Sequence, residues 1–174
     1  RDFIVGVPAA GQNSEGRERL VGHAVHLLPL RIEVHPEEPF KSLLTRIRSA
    51  MLDAFDHQGY TFGSLLRKLV VERDASRPTL VSVMFNVDQL LDLDGAFAAL
   101  QAEIRSNPRA FENFDLSVNV VQEHGGLRGE WQYGSELFDG RTIRGWIESY
   151  ATILNQVCRD LSMPVGRVEL VSDA

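Results

Sequence analysis

Two stretches carry hydroxyl and amide side chains where a buried strand would carry aliphatic ones. In "VSVMFNVD" (81–88), Ser82, Met84, Asn86 and Asp88 alternate with Val81, Val83, Phe85 and Val87. Side chains in a strand point alternately to opposite faces, so the two sets are predicted to separate. "FDLSVNVVQ" (114–122) repeats the design, with Ser117 and Asn119 opposite Leu116, Val118 and Val120. Asparagine is a poor strand former, and a buried polar group without a partner costs about 1–3 kcal/mol. Two such strands fit a face lining a wet or ligand-bearing channel. They fit equally well a sheet face that meets solvent. Just upstream, "ERDASR" (72–77) offers Arg73, Asp74 and Arg77. These form either a solvated loop with a weak ion pair or a lock that pins the entry to the strand.

Other chemistry-bearing types lead nowhere further. His23 and His26 in "GHAVH" lie three apart on an extended segment, which points the imidazoles to opposite faces, and no further ligand sits at metal spacing. No metal site is expected. "GVPAAGQ" (6–12) lacks the lysine of a P-loop and the spacing of a dinucleotide fingerprint. No G-x-S-x-G elbow occurs. The one cysteine, Cys158, falls in an amphipathic stretch and reads as a packed thiol.

Composition narrows the classes. The 174 residues fit one domain or one lobe of a larger protein. A net charge of −6 with scattered Lys and Arg argues against a nucleic-acid surface. No apolar run reaches the ~20 residues of a membrane span. The opening "RDFIVGV" has no signal-peptide order, and one cysteine suits a reducing compartment, so a cytoplasmic protein is expected.

The elements that must position these side chains follow from periodicity. "DFIVGVP" (2–8) reads as a buried strand, followed by a polar loop (9–19). "HLLPLRIEV" (26–34) reads as extended, with Pro29 requiring an edge or a bulge. Phe40, Leu43, Leu44, Ile47, Met51 and Phe55 recur at helical spacing, and Thr61 is a candidate N-cap for a second helix. "EHGGLR" (123–128) predicts a hairpin returning through Trp131 and Tyr133. Ile143, Ile147, Tyr150, Leu154, Val157 and Leu161 predict a long helix, and "RVELV" (167–171) a final strand. Helices alternating with strands around a central hairpin predict an α/β (α+β) fold, a mixed sheet with helices packed on it.

Three stretches, read in order, resemble the condensation domains of nonribosomal peptide synthetases. "LVGHAVHLLPLR" (20–31) is similar to their fifth core motif, which closes on an Arg. "HQGYTFGSLLRKL" (57–69) is similar to the sixth, and "RDASRPTLVSVMFN" (73–86) to the seventh, R-D-x-S-R-N-P-L. "FDLSVNV" with "WQYGSELFDG" resembles the strand pair near that domain's end. The resemblance spans nearly the whole chain. It departs at His26 and Leu27, where Asn and Thr are usual, at Gly59 and Thr61, and between Arg77 and Pro78, where an Asn is missing. The family's catalytic H-H-x-x-x-D-G matches no part of the sequence.

The resemblance implies that residues 1–174 form the C-terminal lobe of a condensation domain with the chloramphenicol-acetyltransferase-like, CoA-dependent acyltransferase fold. The catalytic histidine would lie on an absent N-terminal lobe, and this chain alone would be inactive. Two lobes would enclose a tunnel in which a carrier-tethered acceptor amine attacks a donor thioester, forming an amide. Ser82, Asn86, Ser117 and Asn119 would border that tunnel, where fixed donors can stabilise developing charge without moving protons. Arg31 would bridge the lobes through the signature's Asp, and Arg73, Asp74 and Arg77 would lock the structure. No cofactor would be bound directly, and the phosphopantetheine arms of carrier proteins would enter from both ends. Implied partners are the N-terminal lobe, donor and acceptor carrier proteins and an adjacent adenylation domain. The alternatives are an epimerisation, cyclisation or ester-forming relative, a non-catalytic module that recruits an enzyme, and half of a coenzyme-A acyltransferase.

Overall fold

The computed structural model describes residues 1–11, 21–71, 77–88, 107, 110–123 and 125–171. Five strands, β1 (Asp2–Ala10), β2 (Val25–Glu33), β3 (Val83–Asp88), β4 (Leu116–Glu123) and β5 (Gly126–Tyr133), form one sheet in the order β2-β1-β3-β4-β5. The two outer pairs, β1–β2 and β4–β5, are antiparallel, whereas β3 runs parallel to both β1 and β4. The predicted mixed sheet with helices is the observed fold. Pro29 lies in the edge strand β2, where its missing N–H interrupts no ladder on the outer side. Gly125, with φ +88°, makes the turn between β4 and β5 where the sequence predicts it.

Among the described residues three helices accompany the sheet: α1 (Phe40–Asp56), α2 (Phe62–Lys68) and α3 (Gly140–Arg159). Thr61 caps α2, its hydroxyl accepting from the Ser64 N–H at 3.2 Å. Asp139 caps α3 through Oδ1, which accepts from the Arg141 and Thr142 amides at 2.8 and 2.7 Å. These bonds hold its carboxyl below the usual range. Ile143 of α3 is buried with Leu116, Val118 and Val120 of β4, and Val83, Phe85, Trp131, Tyr133 and Phe138 close around them. The Trp131 ring meets Tyr150 edge-on at 5.9 Å. The start of α1 bonds to the chain after α3, Phe40 N–H to Met163 O and Lys41 N–H to Leu161 O. Arg46 fastens α1 to the end of β2, donating to the Glu33 carbonyl and the Glu38 carboxylate, both at 2.6 Å.

Cys158, read as a packed thiol, is exposed near the end of α3, and three further expectations change. Of the α1 stripe only Leu43 is buried, while Leu44, about 100° further round the helix, is 43% exposed. The segment 167–171 is not a strand. Val165–Arg167 is a short 3-10 turn, and the Gln156 side chain then bonds both backbone groups of Glu169, Nε2 to O at 2.9 Å and N–H to Oε1 at 3.1 Å. That amide satisfies the groups a neighbouring strand would otherwise have paired.

The third change concerns Val81. Leu80 adopts φ 69°, a left-handed conformation rare for a branched-chain residue, and β3 begins only at Val83. Val81 is therefore not on the face of Val83. It is 1% exposed and fills the space beside Gly6, where a Cβ would lie 2.7 Å from Val81 Cγ1 and 2.9 Å from Leu27 Cδ1. Gly6 pairs with Met84, so this close approach is the seam between β1 and β3.

Candidate functional site

The face of β3, β4 and β5 turned away from α3 carries two rows of side chains. Register sets Met84 beside Ser117 and Ser117 beside Gln132. One step along lie Asn86, Asn119 and Glu130. Asn86 Nδ2 donates to Asn119 Oδ1 and to Asp88 Oδ1, each at 2.9 Å. Arg128 bridges Glu123 and Glu130, so Glu130 carries a local counter-charge. A cleft of about 680 Å³ opens over both rows, lined by Met84, Asn86, Asp88, Ser117, Asn119 and Gln132, with His23 and Glu130 at its sides.

The rows exist because alternation is kept through three strands at once. Leu116, Val118 and Val120 must meet α3, so Ser117 and Asn119 are forced to the other face. β5 is tied to that register by its short turn, and Trp131 and Tyr133 in the core put Glu130 and Gln132 beside them. Two of the resulting polar atoms are buried without a hydrogen-bond partner among the described residues, Ser117 Oγ and Gln132 Oε1, and Ser117 is only 5% exposed.

Three of the four tunnel residues expected from sequence, Asn86, Ser117 and Asn119, meet in this cleft. Ser82 does not line it. It precedes β3, and its carbonyl accepts from the Asp115 and Leu116 amides at 2.9 and 3.3 Å. Arg31 lies on β2 and forks onto Asp2 of β1, Nε to Oδ1 at 3.0 Å and Nη2 to Oδ2 at 2.6 Å. That bond holds the Asp2 carboxyl below its ordinary range and raises the guanidinium. Arg77 is exposed just before Leu80, while Arg73 and Asp74 lie outside the described residues. Sequence reasoning missed Gln132 and Glu130. The signal was the tight turn at Gly125, which fixes their partners on β4 once Trp131 is assigned to the core.

The profile of the Condensation domain family matches residues 1–174. This chain belongs to that family. Among curated condensation-domain relatives it is 31% identical over 172 residues to surfactin synthase subunit 1 of Bacillus subtilis (strain 168), and 30% identical over 173 residues to tyrocidine synthase 3 of Brevibacillus parabrevis. Each alignment covers 99% of this chain but only 5% and 3% of those proteins. Among solved structures, a four-domain nonribosomal peptide synthetase bound to AMP and glycine superimposes with a TM-score of 0.86 at 15% identity, over 99% of this chain and 14% of that one. The first condensation domain of the CDA synthetase gives 0.71 at 22% identity, over 99% of this chain and 38% of that one. The condensation-domain fold expected from the motifs is thus the observed fold. No described helix is long and apolar enough to cross a membrane.

Proposed function

We propose that this chain is the C-terminal lobe of an amide-forming condensation domain and supplies one wall of its reaction passage. The observation that carries the reading is the Asn86–Asn119 amide pair at 2.9 Å, lying in a cleft of about 680 Å³ rather than in the core. In the reaction an acceptor amine attacks the carbonyl carbon of a donor thioester. A C–N bond forms, the C–S bond breaks, and the amine's proton leaves with a base as the thiol departs. No H-H-x-x-x-D-G occurs in this sequence, so the base is assigned to the other lobe. The role left to this lobe is to hold polar atoms of the tethered substrates and to keep them oriented.

The same reading makes the partners carrier proteins bearing phosphopantetheine and an N-terminal lobe, beside an adenylation domain, in a cytoplasmic synthetase. Arg31 remains a candidate for the lobe interface, because its side chain is 67% exposed even while it pairs with Asp2. Arg73, Asp74 and Arg77 are assigned to pinning the entry to β3. The test is product formation by the intact synthetase, followed by mass spectrometry of carrier-bound dipeptide. Asn119→Ala is expected to slow it about tenfold or more with the fold retained. An unchanged rate would sink the reading, as would amide synthesis by this chain alone.

A further inference from the structure

β1 carries a proline where a sheet can least use one. The strand lies between β2 and β3, and an inner strand needs backbone N–H groups on both sides. Pro8 nevertheless sits inside it. The direction of its nitrogen follows from the ladder. Val34 N–H bonds to Arg1 O and Gly11 N–H to Ala24 O, one at each end of the β1–β2 register. Backbone groups alternate sides along a strand, so the odd-numbered residues of β1 face β2, while Gly6 and Pro8 face β3. The Ser82 carbonyl is turned to β4, which turns the backbone of Val83, Phe85 and Val87 toward β1.

Gly6 with Met84 is the single β1–β3 pairing among the described residues. Toward the start of β3 the ladder stops because that strand begins only at Val83. In the other direction, the next donor would be the nitrogen of Pro8, aimed at the Phe85 carbonyl, and it has no hydrogen. Past that point the cleft of about 680 Å³ opens, with Pro8, Met84, Asn86 and Asp88 in its wall.

We propose that Pro8 is a positioning residue that stops β1 from zipping onto β3 beyond Gly6, and so holds the cleft open. A ladder continued through position 8 would draw Asn86 and Asp88 against β1 and narrow the space beside Met84. The inference rests on the proposed passage only for its effect on synthesis, since the split in the sheet follows from the ladder. Pro29 supplies the contrast within the same chain. It lies opposite Gly6 on the edge strand β2, so its nitrogen points to the open side and a hydrogen restored there meets no strand.

The test is Pro8→Ala in the intact synthetase, with Pro29→Ala as its control. Hydrogen exchange read by mass spectrometry should show the restored amide at position 8 exchanging about tenfold or more slowly than the one at position 29. Met84→Cys, added to both variants, reports the opening. A maleimide is expected to modify that thiol several-fold more slowly beside Pro8→Ala than beside Pro29→Ala, measured on the peptide that carries it. Dipeptide formation should fall in Pro8→Ala while Tm stays unchanged or rises, whereas a proline with only a structural role would lower both. Fast exchange at position 8, or a thiol equally reactive in the two variants, overturns the proposal. A protected amide and a shielded thiol with synthesis unchanged would leave the wedge standing and remove the passage.

Discussion

Asn86 and Asn119 sit in direct register on two parallel strands, and their amides bond to each other at 2.9 Å on the face away from α3. Each answers part of the other's desolvation, which is how a sheet tolerates two asparagines in neighbouring strands. Removing one is therefore expected to affect the other. Asn119→Ala should lower stability by about 1 kcal/mol in urea denaturation, and adding Asn86→Ala should cost less than the sum of the single changes. Additive losses would show that the two amides are energetically separate.

Gly6→Ala is expected to be the more damaging change despite its size. The added Cβ would lie 2.7 Å from Val81 Cγ1 and 2.9 Å from Leu27 Cδ1, and Val81 is 1% exposed with nowhere to retreat. Overpacking of this kind costs about 1–3 kcal/mol. A Gly6→Ala, Val81→Ala double variant should recover part of that loss. Thermal unfolding of the three proteins reads it directly.

Asp139 ties the start of α3 through two backbone amides, and its carboxyl is held below the ordinary range first by the Thr142 N–H. A folded pKa lower than the unfolded one means the stabilisation is fully present above the unfolded value, near 3.9. It is lost as pH falls through the depressed folded value. Asp139→Ala should therefore lower Tm at pH 7, by about 2–4 °C for a chain of this size. The gap to wild type should shrink on acidification below pH 4. A gap that widens there would contradict the assignment.

Gln156 holds residues 167–171 in place through the paired bonds to Glu169. Gln156→Leu keeps the volume and removes both bonds, so the Glu169 amide should exchange with solvent about tenfold faster or more. Global stability should change by roughly 1 kcal/mol, since the segment is exposed at Glu169 and Leu170. Unchanged exchange would place the anchor elsewhere.

Much of this fold was readable from the residue order. Period-two alternation in 83–88 and 116–122 had to give strands with an aliphatic and a polar face, and the 3.6-residue spacing of Ile143, Tyr150, Leu154 and Val157 had to give α3. Pro29 marked an edge, Thr61 a cap and Gly125 a turn because each restricts the backbone locally, whatever surrounds it. Three motifs in order identified the family. Other features were not readable, because they depend on what lies across space. The left-handed Leu80 swings Val81 to the opposite face and takes Ser82 out of the cleft, although the letters continue an unbroken alternation. Gln156 takes the place of a partner strand for 167–171, a substitution visible only once two distant segments touch. The sequence alone determined which faces are polar, since that follows from spacing along one chain. Only the tertiary structure decided that Ser117 and Gln132 meet with their acceptors unpaired, because register between strands, burial and missing partners are properties of the assembled sheet.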